Sequence, residues 1–256
     1  MTTGISIGLH GRTDAAVLRA LAPRIEAAGF AGLWLNDVPG GDALAGLRAV
    51  AEVTETLRLG TGVIPLDRRP VDSLDLAGLP TARTTIGIGS GATARPVALV
   101  GDGIASLRER TDAAVVVGAL GPRMRRLAAE HADGAVLNWL DPASASAQAR
   151  ELRRDAGALG RPGRSILYAR TIAACEAQGA LEAEASAYAS FPAYAANFDR
   201  LGIRAIDATV AGPDALRAYL DADDAVEELV LRAITPTGSA EELTAFVMTT
   251  AEWFAR

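Results

Sequence analysis

Residues 115–124, Val-Val-Val-Gly-Ala-Leu-Gly-Pro-Arg-Met, run from an apolar stretch through a glycine-bracketed turn into a segment that opens on Pro122. A second apolar stretch, Asp-Gly-Ala-Val-Leu-Asn-Trp at 133–139, follows it. Proline suits the first helical position, because the N–H it lacks would have no partner within the helix. The free amides of such a start, with the helix dipole behind them, favour an anion. The pattern reads strand, turn, helix, strand, and phosphate is the group that such a turn receives. Among side chains, His10 ends the first apolar run, where a site role and a core role are both open. Asp37, just past the run 32–36, is the best-placed single carboxylate, either as a site residue or as a helix cap. His131 ends a helical segment, where its charged form would favour the dipole. Two histidines and the single Cys175 lie too far apart in sequence to form a zinc set. The chain has no G-x-S-x-G elbow and no P-loop. Residues 87–92, Gly-Ile-Gly-Ser-Gly-Ala, fit the dinucleotide pattern G-x-G-x-x-A. A dinucleotide fold opens with that pattern, whereas three strand–helix units precede it here, so a tight turn near a cofactor is the better reading. Trp34 and Trp139 read as core, with Trp139 the nearer to a ligand, and Cys175 reads as an inert buried thiol.

The chain that must position these groups has 256 residues, 50% of them hydrophobic and 22% charged, enough to bury a sizeable core. Its net charge of −6 argues against nucleic acid or an anionic membrane as the main partner. Lysine is absent and the arginines are scattered, with Arg123, Arg125 and Arg126 the one dense group. One cysteine excludes an internal disulfide and fits a reducing compartment. With no apolar leader and no apolar run long enough to span a bilayer, the expectation is cytoplasmic.

Eight short apolar runs stand out, at 5–10, 32–36, 57–64, 84–89, 113–118, 134–139, 165–174 and 227–234. Most are continuously apolar rather than alternating, the habit of parallel strands covered on both faces. Between them, helical spacing predicts helices over 14–28, 42–56, 97–110 and 239–255. Pro23 predicts a kink or late start in the first, and Ser239 with Glu242 predicts a capping box in the last. Residues 66–83 are too short and prolyl for a full helix, and 175–226 leave room for extra helices at 184–200 and 213–221. The expected fold is a compact (β/α)₈ TIM barrel, one domain over 1–256, with function at the C-terminal ends of the strands. Those ends read as glycine-rich and poor in charge, suited to a flat ring with a phosphate tail and not to a metal.

The segments Gly-Phe-Ala-Gly-Leu-Trp-Leu-Asn-Asp at 29–37, Leu-Arg-Leu-Gly-Thr-Gly-Val at 57–63, Thr-Ile-Gly-Ile-Gly-Ser-Gly at 85–91, and the stretch from Val115 resemble, in that order, the luciferase-like monooxygenase family. Residues 239–253 are similar to its closing helix. The Gly-Ala-Leu-Gly-Pro turn is more similar to the branch that uses the deazaflavin F420 than to the FMN branch. The resemblance implies a TIM barrel that binds F420, or alternatively FMN, and works as a homodimer on a small-molecule substrate. It implies that Asp37 contacts the deazaflavin ring or side chain, and that Thr61, Gly62 and Val63 form a bulge behind the ring with a cis Gly62–Val63 peptide. Ser90 and Gly91 would line the ring pocket. Gly118, Ala119, Leu120 and Gly121 would cradle the phosphate, with Asn138 near the side chain. His10 and Asp37 are the catalytic candidates.

The departures from the family pattern bear on activity. In its F420-dependent sugar-phosphate dehydrogenases a histidine follows the aspartate and a glutamate follows the fourth-strand Gly-x-Gly. Here those places hold Val38 and Ala92, and the usual large insertion after the fourth strand is missing. The expected activity is therefore hydride transfer between F420 and a small organic substrate, such as reduction of an activated double bond. The alternatives are an FMN-dependent monooxygenase or reductase, and a non-catalytic flavin- or deazaflavin-binding protein.

Overall fold

The computed structural model describes residues 3–254. In chain order the strands are β1 (Gly4–Leu9), β2 (Gly32–Leu35), β3 (Arg58–Thr61), β4 (Ile64–Pro65), β5 (Thr84–Gly89), β6 (Ala114–Gly118), β7 (Gly134–Asn138), β8 (Arg164–Ile172), β9 (Thr209–Ala211) and β10 (Glu228–Ala233). All pairings are parallel, and β10 pairs with both β8 and β1, which closes the sheet into an eight-stranded barrel. The short β4 continues the β3 position past a bulge, and β9 extends the upper edge of β8. The helices are α1 (Ala15–Ala27), α2 (Ala43–Ala51), α3 (Pro96–Arg110), α4 (Pro122–His131), α5 (Pro142–Gly157), α6 (Gln178–Ser190), α7 (Pro192–Leu201), α8 (Pro213–Leu220) and α9 (Ala240–Glu252). Five of them, α3, α4, α5, α7 and α8, start on proline. Others take side-chain caps, from Asp14 and Asp42 and from the capping box of Ser239 and Glu242.

The core divides as a barrel requires. Residues such as Leu33, Val115, Val117, Leu137 and Leu229 point outward into the layer between strands and helices. Their neighbours Trp34, Val116, Val136, Ile166, Tyr168 and Val230 point inward and fill the barrel itself.

Several expectations need correction. Pro23 lies within a continuous α1 that begins at Ala15, so the start is not late; burial of Leu18, Leu21, Ala22 and Ile25 holds the helix across the missing N–H. Other expectations need none: residues 66–83 hold only short 3₁₀ turns, and the connection from β5 to α3 is residues 90–95, without an insertion. The helix expected at 184–200 is two helices, because Phe191 is extended before Pro192. Cys175 is exposed, not buried, since it opens a 3₁₀ turn beyond β8.

Candidate functional site

The C-terminal ends of the strands form a mouth with two different halves. On the first, the Gly62–Val63 peptide is cis. The Val63 side chain fills the space over β5 and β6. A Cβ at Gly89 would stand 2.7 Å from Val63, and one at Gly118 would stand 3.1 Å away. These glycines make room for the bulge. Thr61 Oγ1 accepts from the Gly87 amide at 2.8 Å and donates to the Gly87 carbonyl at 2.9 Å, locking β3 to β5 beneath it. Ser90 is half-buried at the β5 tip, and Gly91 follows with φ of +60°. The four residues after Val117 play unequal parts. The Ala119 amide donates to the Val136 carbonyl, and the Leu120 carbonyl accepts from Arg200 of α7 at 3.2 Å. A Cβ at Gly121 would meet nothing within 4 Å, and among the described residues no side chain caps α4 behind it. The open anion-ready surface is therefore the Gly121 end of the turn with the first turn of α4.

Asp37 stands at the β2 tip, but its carboxylate is 1% exposed and ion-paired to Arg69 at 2.5 Å, with Arg68 at 3.8 Å. It accepts weakly from the Ala43 amide at 3.5 Å, at the start of α2. The carboxylate thus ties the loop after β4 to β2 and α2.

On the other half, α6 and α7 roof the mouth. Arg170, facing inward from β8, donates to the Asn138 side-chain oxygen and to Glu184 of α6 at 2.8 Å. Its guanidinium lies 4.3 Å from the centre of the Trp139 ring and 4.6 Å from that of Tyr188, within cation–π distance of two rings that also touch each other. The Asn138 side-chain NH₂ donates to the Tyr194 hydroxyl of α7 at 3.2 Å. Asn138 is thereby engaged at both ends. Trp139, which the sequence suggested as a ligand contact, is fully buried beneath Tyr188 and Phe198.

Between this roof and the β1–β10 edge a hollow of about 390 Å³ remains open, lined by His10, Arg12, Glu184 and Arg232 together with apolar Ala180 and Leu243. His10 is exposed in it. The Arg12 amide donates to His10 Nδ1 at 3.2 Å, which leaves the neutral ring's proton on Nε2. Burial, with Arg232 and Arg12 nearby, lowers the His10 pKa, against a smaller opposite pull from Glu184. Burial pushes the Glu184 carboxyl up, but Arg170 and Arg232 outweigh it and hold it below its ordinary value. Against Gly62 of the bulge the Tyr168 hydroxyl is buried with no hydrogen-bond partner among the described residues, and burial raises its pKa.

Arg170, Glu184 and Arg232 escaped the sequence reading. Strand tips were judged by their last residues, whereas these arginines stand earlier in β8 and β10, facing inward. The signal was present in the even spacing of Ile166, Tyr168 and Arg170, and of Val230 and Arg232. The mouth is consequently rich in charge, not poor in it.

A hollow of about 510 Å³ lies at the opposite end, around Arg58, Arg83, Arg108 and Arg164. Those arginines are spent on Glu228, Asp133 and backbone carbonyls. Barrel chemistry sits at the other face. Among the described residues no group of His, Cys, Asp and Glu could hold a metal, and no helix is long and apolar enough to cross a membrane.

The fold has well-matched structural relatives. The F420-dependent tetrahydromethanopterin reductase from Methanopyrus kandleri superimposes with a TM-score of 0.73 at 16% identity, covering 98% of each chain. The monooxygenase RslO1 from Streptomyces bottropensis gives 0.70 at 20% identity over 99% of each. An F420-dependent secondary alcohol dehydrogenase, solved with an F420–acetone adduct, gives 0.71 at 12% identity over 97% of this chain and 99% of its own. At such identities these likenesses speak for the barrel alone. The sequence goes further, because the luciferase-like monooxygenase family model matches residues 1–114 and 106–256. With the bulged β3 tip and the open turn before α4 in place, the chain belongs to the luciferase-like monooxygenase family.

Proposed function

We propose that this protein is an F420-dependent oxidoreductase, one barrel domain that works as a homodimer on a small organic substrate. The observation that carries the reading is the open, uncapped start of α4 at Gly121, beside the shelf that Val63 builds over Gly89 and Gly118. A tricyclic ring with a phosphorylated tail fits these residues. Val63 and Ser90 offer a wall, and the amides of Gly121, Arg123 and Met124 offer donors for phosphate. When bound, the deazaflavin supplies hydride-transfer chemistry, and the protein's part is binding and orientation.

The side chains suit a reaction that needs little proton abstraction. Val38 and Ala92 carry no acid or base, Asp37 is neutralised by Arg69, and burial keeps Tyr168 protonated. Of the two catalytic candidates, Asp37 positions the loop after β4. His10 presents a neutral ring to the open hollow, where its Nε2–H can orient a substrate oxygen. Reduction of an activated double bond meets these conditions better than oxidation of an alcohol.

Titration with oxidised F420, reduced F420 and FMN, followed by cofactor fluorescence, tests the reading. Quenching by F420 at lower protein concentration than by FMN is expected, and binding of neither overturns it. Gly121→Asp should weaken cofactor binding by about 100-fold or more through like charge at the phosphate, with the circular-dichroism spectrum unchanged. Unaltered affinity would put the phosphate elsewhere.

A further inference from the structure

Arg232 and Arg170 are register partners on β10 and β8, two guanidinium groups side by side facing into one barrel. Like charges directly opposite each other are unfavourable, more so away from water. The two are not treated alike. Arg170 has Glu184, Asn138 and two aromatic faces. Arg232 is 7% exposed, and among the described residues it has no carboxylate at ion-pair distance. Its one hydrogen bond there runs from Nη1 to the Ala233 carbonyl. The side-on edge, Nε with Nη2, is left without a protein partner, and that edge matches the two oxygens of a carboxylate. The residue lines the hollow of about 390 Å³ together with His10, whose Nε2–H is a further donor. Locally Arg170 and Arg232 face the single carboxylate of Glu184, so positive charge is in surplus, while the Arg12 guanidinium is turned to the Pro39 carbonyl.

We propose that the hollow between β1, β10 and α6 is a subsite for the carboxylate of a small monoanionic substrate, held by the Nε/Nη2 edge of Arg232 and by His10. The proposal rests on the redox reading above for what happens to that substrate. Glu184 across the hollow disfavours a dianion, and the apolar walls at Ala180, Ile234 and Leu243 accommodate a short hydrocarbon or aromatic body. A hollow of this size, near the lower end of ligand pockets, suits a small acid and excludes an extended one.

Calorimetric titration of the whole protein with benzoate, with its near-isostere benzamide and with inorganic phosphate tests the proposal. Benzoate should bind about tenfold or more tightly than benzamide, from the charge-assisted fork. Arg232→Met should abolish that preference. Arg232→Lys, which keeps the charge and loses the fork, should weaken benzoate about tenfold. Equal binding of benzoate and benzamide, a preference that survives Arg232→Met, or phosphate displacing benzoate at lower concentration would each overturn the subsite. Cofactor quenching is read on the same samples. F420 or FMN affinity should be unchanged in Arg232→Met, and its loss with benzoate binding intact would reassign Arg232 to the cofactor. Benzoate preference in a wild-type protein that binds neither cofactor would overturn the redox reading and leave the anion subsite standing.

Discussion

Glu228 and Arg232 stand on the same strand and the same inward face, one at each end of the barrel interior, and their surroundings are opposite in kind. Glu228, its side chain 1% exposed, accepts from Ser6 at 2.5 Å, Trp34 at 2.7 Å and Arg58 at 3.2 Å, and pairs with Arg164. Burial alone would raise its pKa, but Arg164, Arg58 and the two neutral donors bring it below the ordinary value. Arg232 has among the described residues no carboxylate at contact distance, and burial lowers its pKa against a smaller opposite pull from Glu184. A buried charge that is fully ligated by its own protein holds an end of the barrel shut. One left with free donors beside a hollow is kept for something that arrives. The difference lies in how completely each charge is matched, not in residue type.

The largest expected effect is at the floor. Glu228→Ala leaves the buried Ser6 hydroxyl and Trp34 indole N–H without their acceptor and takes the counter-charge from the partly exposed Arg58 and Arg164, and should cost about 3 kcal/mol in chemical denaturation. The pH dependence has a definite sign. A carboxyl whose pKa is lowered on folding contributes stability above its unfolded value, 4.5 for glutamate, and loses it as pH falls through the lower folded value. The gap between wild type and Glu228→Gln should therefore narrow as pH drops below that point, and a constant gap would mean the ion cluster contributes nothing. At the mouth, Arg232→Met should have the opposite sign, raising stability by about 1 kcal/mol because a buried charge without a contact ion pair, set beside Arg170, is replaced by an apolar chain of similar length. A loss as large as that of Glu228→Ala would erase the contrast between the two ends. Tyr168→Phe sharpens it with the smallest change. Among the described residues the hydroxyl has no partner to lose and its removal relieves a desolvation cost, so stability should rise slightly, by about 0.5 kcal/mol, and a clear loss would reveal a bond made at that position.

Much of the barrel was legible from sequence because its strands are buried on both faces, and continuous runs such as 113–118 admit few other readings. The capping box at Ser239 and the proline starts marked helix ends through local chemistry alone. The site was legible only in part. The open geometry of the turn at Gly121 could be read, since a helix start on proline is a matter of backbone amides that a local pattern predicts. Asp37 was located at its strand tip, but its pairing with Arg69 depends on a loop that returns from a distant part of the chain. Asn138 and Trp139 were placed at a strand end, yet their partners come from α6 and α7, whose alanine-rich sequence gave little hint of a docking face. The inward arginines were hidden because periodicity within an apolar run marks where a side chain points, and only the closed barrel tells what lies opposite.

The helical pair α6–α7 is moored to the body beneath it by Glu184 to Arg170 within its first helix, and by Tyr194 to Asn138 and Arg200 to the Leu120 carbonyl within its second. Pinned on both helices, it resembles a fixed awning more than a swinging door. Traffic into the barrel should then pass around its sides, with exchange rates set by diffusion through standing openings and little slowed by a cycle of opening and closing.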